Sequence, residues 1–87
     1  MAAYELVIRP SVRKDVESVP TKDLKRILAR IEKLREDPRP PGSMRLSGNE
    51  YYRIRQGNYR IIYEVADAPL IVVVVKIGHR RDVDRQE

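Results

Sequence analysis

Three stretches of strand-forming residues follow one another in the second half of this chain with almost nothing between them, and few folds accommodate that. Tyr51 to Arg55, Asn58 to Val65 and Leu70 to Ile77 are rich in Tyr, Ile and Val, whose side chains suit a pleated surface. Only Gln56-Gly57 separates the first two, and only Ala66-Asp67-Ala68-Pro69 the last two. Connections this short join antiparallel neighbours, so a three-stranded antiparallel meander is expected. The run Val72 to Val75 has no polar residue and reads as a buried strand.

The first half supplies what covers the meander. Tyr4 to Arg9 is a strand pattern stopped by Pro10. Ser11 is placed to cap a short helix along which Val12, Val16 and Val19 recur at helical spacing, and Pro20 ends it. Thr21 is placed to cap a longer helix with Leu24, Ile27, Leu28, Ile31 and Leu34 on one stripe. Lys22, Arg26, Arg30, Lys33 and Glu36 occupy its other faces, and Pro38 stops it. Pro38 to Glu50 carries three prolines and two glycines and reads as a loop pinned to the core by Met44 and Leu46. The order β-α-α-β-β-β predicts a two-layer α+β fold, the antiparallel meander packed on a helical hairpin. With 87 residues and no repeat or linker, one domain spanning 1–87 is expected.

Composition narrows the chemistry. Hydrophobic residues reach 41%, enough for a folded core rather than a basic tail. The formal charge of +5 at pH 7 favours an anionic partner. There is no cysteine and only one histidine, His79, so neither a disulfide framework nor a usual metal site is expected, and no cofactor. The first residues, Met1-Ala2-Ala3-Tyr4, lack the pattern of a signal peptide, and Leu70 to Val75 is too short to cross a membrane. A cytoplasmic protein with no membrane association is the expectation.

Alternation along the strands sorts the charges. With Gln56-Gly57 as the hairpin loop, Arg55 faces Asn58, and Arg53 faces Arg60. One face then reads Tyr51, Arg53, Arg55, Asn58 and Arg60; the other reads Tyr52, Ile54, Tyr59, Ile61, Tyr63 and Val65. Opposed arginines repel one another, and a phosphate held between them turns that repulsion into binding. Lys76, His79, Arg80 and Arg81 add basic groups where the last strand ends. Flanking arginines favour a neutral imidazole, which makes His79 a candidate proton acceptor. Tyr51 is the aromatic on the basic face and is placed to stack on a base.

These residues resemble a known family. Tyr51-Tyr52-Arg53-Ile54-Arg55, then Gly57-Asn58-Tyr59-Arg60-Ile61-Ile62-Tyr63, then Lys76-Ile77-Gly78-His79-Arg80 look like the RelE/ParE toxin superfamily, in its RelE branch. Ile8 to Asp15 and Asp37 to Gly42 are similar to it too. The resemblance implies the toxin of a type II toxin–antitoxin pair that enters the ribosomal A site and cuts mRNA. Cleavage there uses the RNA 2′-hydroxyl and no metal. By motif, Arg60 would stabilise charge on the phosphate, and Arg80 would contact the scissile phosphate or protonate the leaving oxygen. Arg53 and Arg55 stand where relatives often carry lysines and are electrostatic clamps here, since arginine is a poor base. The base would be His79 or a ribosomal group. Asp84 stands where many relatives carry a tyrosine, and an aspartate cannot stack. A cognate antitoxin is implied as partner, with operator DNA as a target of the pair. A gyrase-binding toxin of the ParE kind and an antitoxin-binding module with weak catalysis are the alternative readings.

Overall fold

The computed structural model describes residues 3–46 and 50–79. Its elements run β1 (Glu5–Ile8), α1 (Val12–Asp15), α2 (Thr21–Lys33), β2 (Met44–Arg45), β3 (Tyr51–Gln56), β4 (Tyr59–Asp67) and β5 (Leu70–His79). The five strands form one sheet in the order β1-β5-β4-β3-β2. The meander β3-β4-β5 is antiparallel, as the short connections demand, and β1 adds to its β5 edge in parallel. The two helices bridge β1 to the sheet and lie on one face of it, which gives the expected two-layer α+β arrangement.

One continuous core joins the layers. Val12, Ile27, Ile31 and Leu34 from the helices meet Ile54, Ile61, Tyr63, Val65, Val72, Val74 and Ile77 from the sheet, each at most 3% exposed. The predicted helical stripe is narrower than its pattern: Leu28 is 46% exposed at the edge of the contact. Neither helix gains a side-chain cap. Ser11 makes no such bond, and Thr21 is the first helical residue behind Pro20.

The loop from Pro38 is held differently from expectation. Met44 is 54% exposed rather than buried, because it pairs with Arg53 in the short edge strand β2. The buried Tyr63 hydroxyl instead donates to the Pro38 carbonyl at 2.8 Å. Next to it, Arg39 donates to both Asp67 oxygens at 2.9 and 3.3 Å and to the Tyr52 hydroxyl at 2.9 Å. Tyr4 donates to the same Asp67 at 2.6 Å. Hydrogen bonds from Arg39 and Tyr4 lower the Asp67 pKa from its ordinary value, and the bond to Asp67 raises that of Tyr4. The N-terminal segment, the loop and the β4–β5 turn are thus tied at one corner.

β5 carries an irregularity that matters for the site. Ile62 pairs with Lys76 but Tyr63 pairs with Val74, leaving Val75 as the extra residue of a β-bulge. The bulge reverses the alternation. Val72 and Val74 point to the helices before it and Ile77 does so after it, so Lys76 and Gly78 fall on the opposite face. Beyond Ile8, where β1 ends, Asp15 of α1 covers the β5 edge by accepting the Ile77 N–H at 3.0 Å. Asp15→Ala leaves that partly buried N–H without its acceptor and is expected to cost about 1–2 kcal/mol, read from the midpoint of urea unfolding.

Candidate functional site

The hairpin β3–β4 turns through Gly57-Asn58, with Gln56 paired to Tyr59. Gly57 sits at φ +61° as the first loop residue, the position where a primed hairpin turn places glycine. The expected loop, Gln56-Gly57, is therefore offset, and the strand register moves by two residues. Because the offset is even, every side chain keeps its expected face. The partners do change. Arg55 stands directly opposite Arg60, and Arg53 opposite Ile62, in place of the expected Arg53–Arg60 pair.

The face turned away from the helices carries Tyr51, Arg53 and Arg55 on β3, with Arg60, Ile62 and Glu64 on β4. Its centre is Arg60, only 3% exposed, between Arg55 on one neighbour and Gly78 on the other. Gly78 contributes no side chain, so nothing from that position rises beside the guanidinium. Arg55 is exposed and makes no hydrogen bond or ion pair among the described residues. Arg53 is half-buried and directs an Nη2 donor to the Met44 sulfur at 2.8 Å. Arginine stays protonated at any accessible pH. Two opposed guanidinium groups, one buried in the sheet and one exposed, have the donors to hold an anion with several acceptor oxygens.

The remaining candidates divide. Lys76 lies on this face by register, opposite Ile62, but its ammonium is drawn to the β5 edge, 3.9 Å from Asp15 Oδ1. His79 pairs with Tyr59 and meets its ring edge-on, centroids 5.8 Å apart. Tyr59 packs against the core, so the imidazole is on the helix side of the sheet, away from Arg60. Tyr51 is on the basic face, half-buried and opposite Glu64. Arg80, Arg81 and Asp84 lie outside the described residues. Tyr52, Tyr59 and Tyr63 are on the helix side as parity predicts; Tyr52 stacks on Tyr63 at 5.8 Å.

Sequence reasoning passed over Glu64. Its strand reads as an alternating core strand, and its carboxylate gains meaning only once the register sets it beside Tyr51 and diagonal to Arg53.

Known proteins are similar over nearly the whole length. The family model of the ParE toxin of the type II toxin–antitoxin system parDE matches residues 6–84. A relative from Methanocaldococcus jannaschii that carries the name RelE1 toxin is 33% identical over 81 residues, 88% of this chain and 90% of its own. A chain of the archaeal RelE–RelB complex from Pyrococcus horikoshii superposes with a TM-score of 0.77 at 27% identity, covering 90% of this chain and 96% of that one. A chain of the RelB–RelE antitoxin–toxin complex from Methanococcus jannaschii gives a TM-score of 0.71, also at 27% identity, covering 92% and 96%.

Proposed function

From the premise that this chain belongs to the RelE/ParE superfamily of type II toxins, we propose that it is a ribosome-dependent, metal-independent mRNA endonuclease of the RelE kind. One observation carries the reading: Arg55 and Arg60 face each other on the side of the sheet opposite the described helices α1 and α2. Like charges opposed in this way repel one another, and a phosphodiester held by both neutralises them. The 2′-hydroxyl of the RNA attacks its own 3′-phosphate, forming a new P–O bond. The bond from phosphorus to the 5′-oxygen of the next nucleotide breaks, leaving a 2′,3′-cyclic phosphate and a 5′-hydroxyl.

In this mechanism Arg60 stabilises the charge that builds on the phosphate oxygens, as a fixed donor in a partly dehydrated position. Arg55 holds the same phosphate from the solvent side. By the family motif, Arg80 contacts the same phosphate and supports departure of the 5′-oxygen, which takes its proton from water. Arg53, Lys76 and Arg81 hold flanking phosphates, and Tyr51 stacks on a base. The proton of the 2′-hydroxyl passes to His79, which must then approach around the strand end, or to a ribosomal group. The RelE–RelB complexes among the similar structures support a cognate antitoxin as the protein partner, the pair then acting on operator DNA. The absence of any helix long and apolar enough to cross a membrane among the described residues fits a cytoplasmic site of action.

A second reading, a toxin directed at DNA gyrase, is favoured by the matched family model being that of ParE. Induction of the chain in growing cells separates the two. Cuts inside translated codons, mapped as new transcript ends, are expected. Intact transcripts together with a DNA-damage response would overturn the endonuclease reading.

A further inference from the structure

The basic face has a second end, and its chemistry differs from that of the first. Tyr51 and Glu64 stand directly opposite each other on β3 and β4, both half-buried. Directly opposed residues of an antiparallel pair bring their Cβ atoms to about 5 Å. Glu64 is the single acid among the β3 and β4 side chains of this face, which it shares with Tyr51, Ile62, Ala66 and three arginines. Arg53 is its diagonal neighbour, yet the Arg53 guanidinium turns toward Met44 on the other side. Among the described residues Glu64 makes no hydrogen bond or ion pair. A half-buried carboxylate whose diagonal neighbour Arg53 is not paired with it keeps its acceptor oxygens for a ligand.

We infer that Tyr51 and Glu64 form a nucleobase subsite that reads a guanine in the RNA strand whose phosphate lies between Arg55 and Arg60. The inference rests on the RNA-cleaving reading above and adds the base specificity to it. Glu64 is four residues from Arg60 on β4, about 13 Å along a strand. A splayed single strand covers that within roughly two nucleotides. Charge fixes the orientation: the arginine end attracts the backbone and the carboxylate repels it, so a base edge, not a phosphate, meets Glu64. The Tyr51 ring supplies the stacking surface next to it.

Hydrogen-bond patterns then choose the base. An ionised carboxylate offers only acceptors. Guanine alone presents two adjacent donors, N1–H and the N2 amino group, on its Watson–Crick edge. Adenine and cytosine each place one amino group beside a ring-nitrogen acceptor, and uracil places one N–H between two carbonyls.

The test uses purified ribosomes programmed with mRNAs that carry guanine, inosine, adenine, cytosine or uracil at each nucleotide within two of the cut. The wild-type chain is expected to favour guanine over inosine, which lacks the N2 amino group, about tenfold at one position, as loss of one charge-assisted hydrogen bond implies. Glu64→Gln exchanges one acceptor for a donor. It is expected to keep cutting but to transfer the preference at that position from guanine to adenine or cytosine. Glu64→Ala is expected to erase the preference without creating a new one. A wild-type chain that cuts guanine and inosine messages alike, or a Glu64→Gln chain with the wild-type pattern, would overturn the subsite while leaving the endonuclease in place. Should Glu64→Ala fail to fold, the guanine–inosine comparison on the wild type still decides. A wild-type chain that cuts none of these messages overturns the endonuclease reading, and the subsite with it.

Discussion

Arg60→Ala is expected to lower ribosome-dependent mRNA cleavage by about 10²–10³-fold, the effect of deleting a preorganised donor aimed at developing charge. The magnitude follows from where the side chain sits. Arg60 is 3% exposed at the middle of the sheet face, where low local dielectric strengthens its hold on an anion. Arg55 is exposed, and water screens it, so Arg55→Ala is expected to cost only about tenfold, in line with a solvent-side charge contact. Arg60→Lys keeps the charge but not the planar fork, and is expected to fall between the two. A thermal melt of each variant separates a lost contact from a lost fold. Equal cleavage by wild type and a folded Arg60→Ala chain would remove the phosphate clamp from the mechanism.

Tyr63→Ala is expected to have the largest effect on stability. Tyr63 is fully buried, stacks on Tyr52 and donates to the Pro38 carbonyl at 2.8 Å. Removing the ring should cost about 3–5 kcal/mol, which for a chain of this size lowers Tm by roughly 15–30 °C. Tyr63→Phe keeps the packing and deletes only the hydroxyl. It leaves the buried Pro38 carbonyl without its donor, at about 1–3 kcal/mol.

The two variants differ in alkaline solution as well. Burial pushes the Tyr63 hydroxyl from its ordinary value of 10.0 up to about 12. Between those values the folded chain keeps a proton that the unfolded chain has lost. The Tyr63 contribution is therefore complete below pH 10 and is lost as pH rises through about 12. Urea unfolding across that range should decline less steeply for Tyr63→Phe than for the wild type. Identical slopes would show that the hydroxyl is not held as described.

Much of this was legible in the residues because the chain is locally consistent. The stop at Pro10, the helical spacing of Ile27, Ile31 and Leu34, and the short connections of the meander agree with the final architecture, whereas α1 ends at Asp15 and α2 at Lys33, ahead of the prolines expected to stop them. The faces of β3 and β4 were readable for the same reason, since Ile54 lies between Arg53 and Arg55, and Arg60 and Glu64 flank Ile61-Ile62-Tyr63. Three features were not. The hairpin register depends on whether Gly57 is the first or second loop residue, and one glycine in a two-residue loop fits either. The bulge at Val75 falls in a run of identical valines, where alternation leaves no trace. Its only mark is that Ile77 and Val74 cannot both face the core without it. The strand Met44–Arg45 is two residues long and owes its pairing to β3 rather than to its own pattern.

The site shows the same division. Residue types pointed to a basic face, and an even register error left that face intact while moving the opposed pair from Arg53–Arg60 to Arg55–Arg60. His79 was less readable because it follows the bulge, and one extra residue transfers it to the side of Tyr59. Glu64 acquires a partner in Tyr51 only through the register.

The most direct test is to incubate the purified chain with ribosomes programmed with a defined mRNA, in the presence and absence of a metal chelator, and to identify the RNA ends. A single cut in the A-site codon is expected, with a 2′,3′-cyclic phosphate upstream and a 5′-hydroxyl downstream, insensitivity to the chelator, and loss of the cut in Arg60→Ala. Intact mRNA from a wild-type chain that still arrests growth in cells would contradict it.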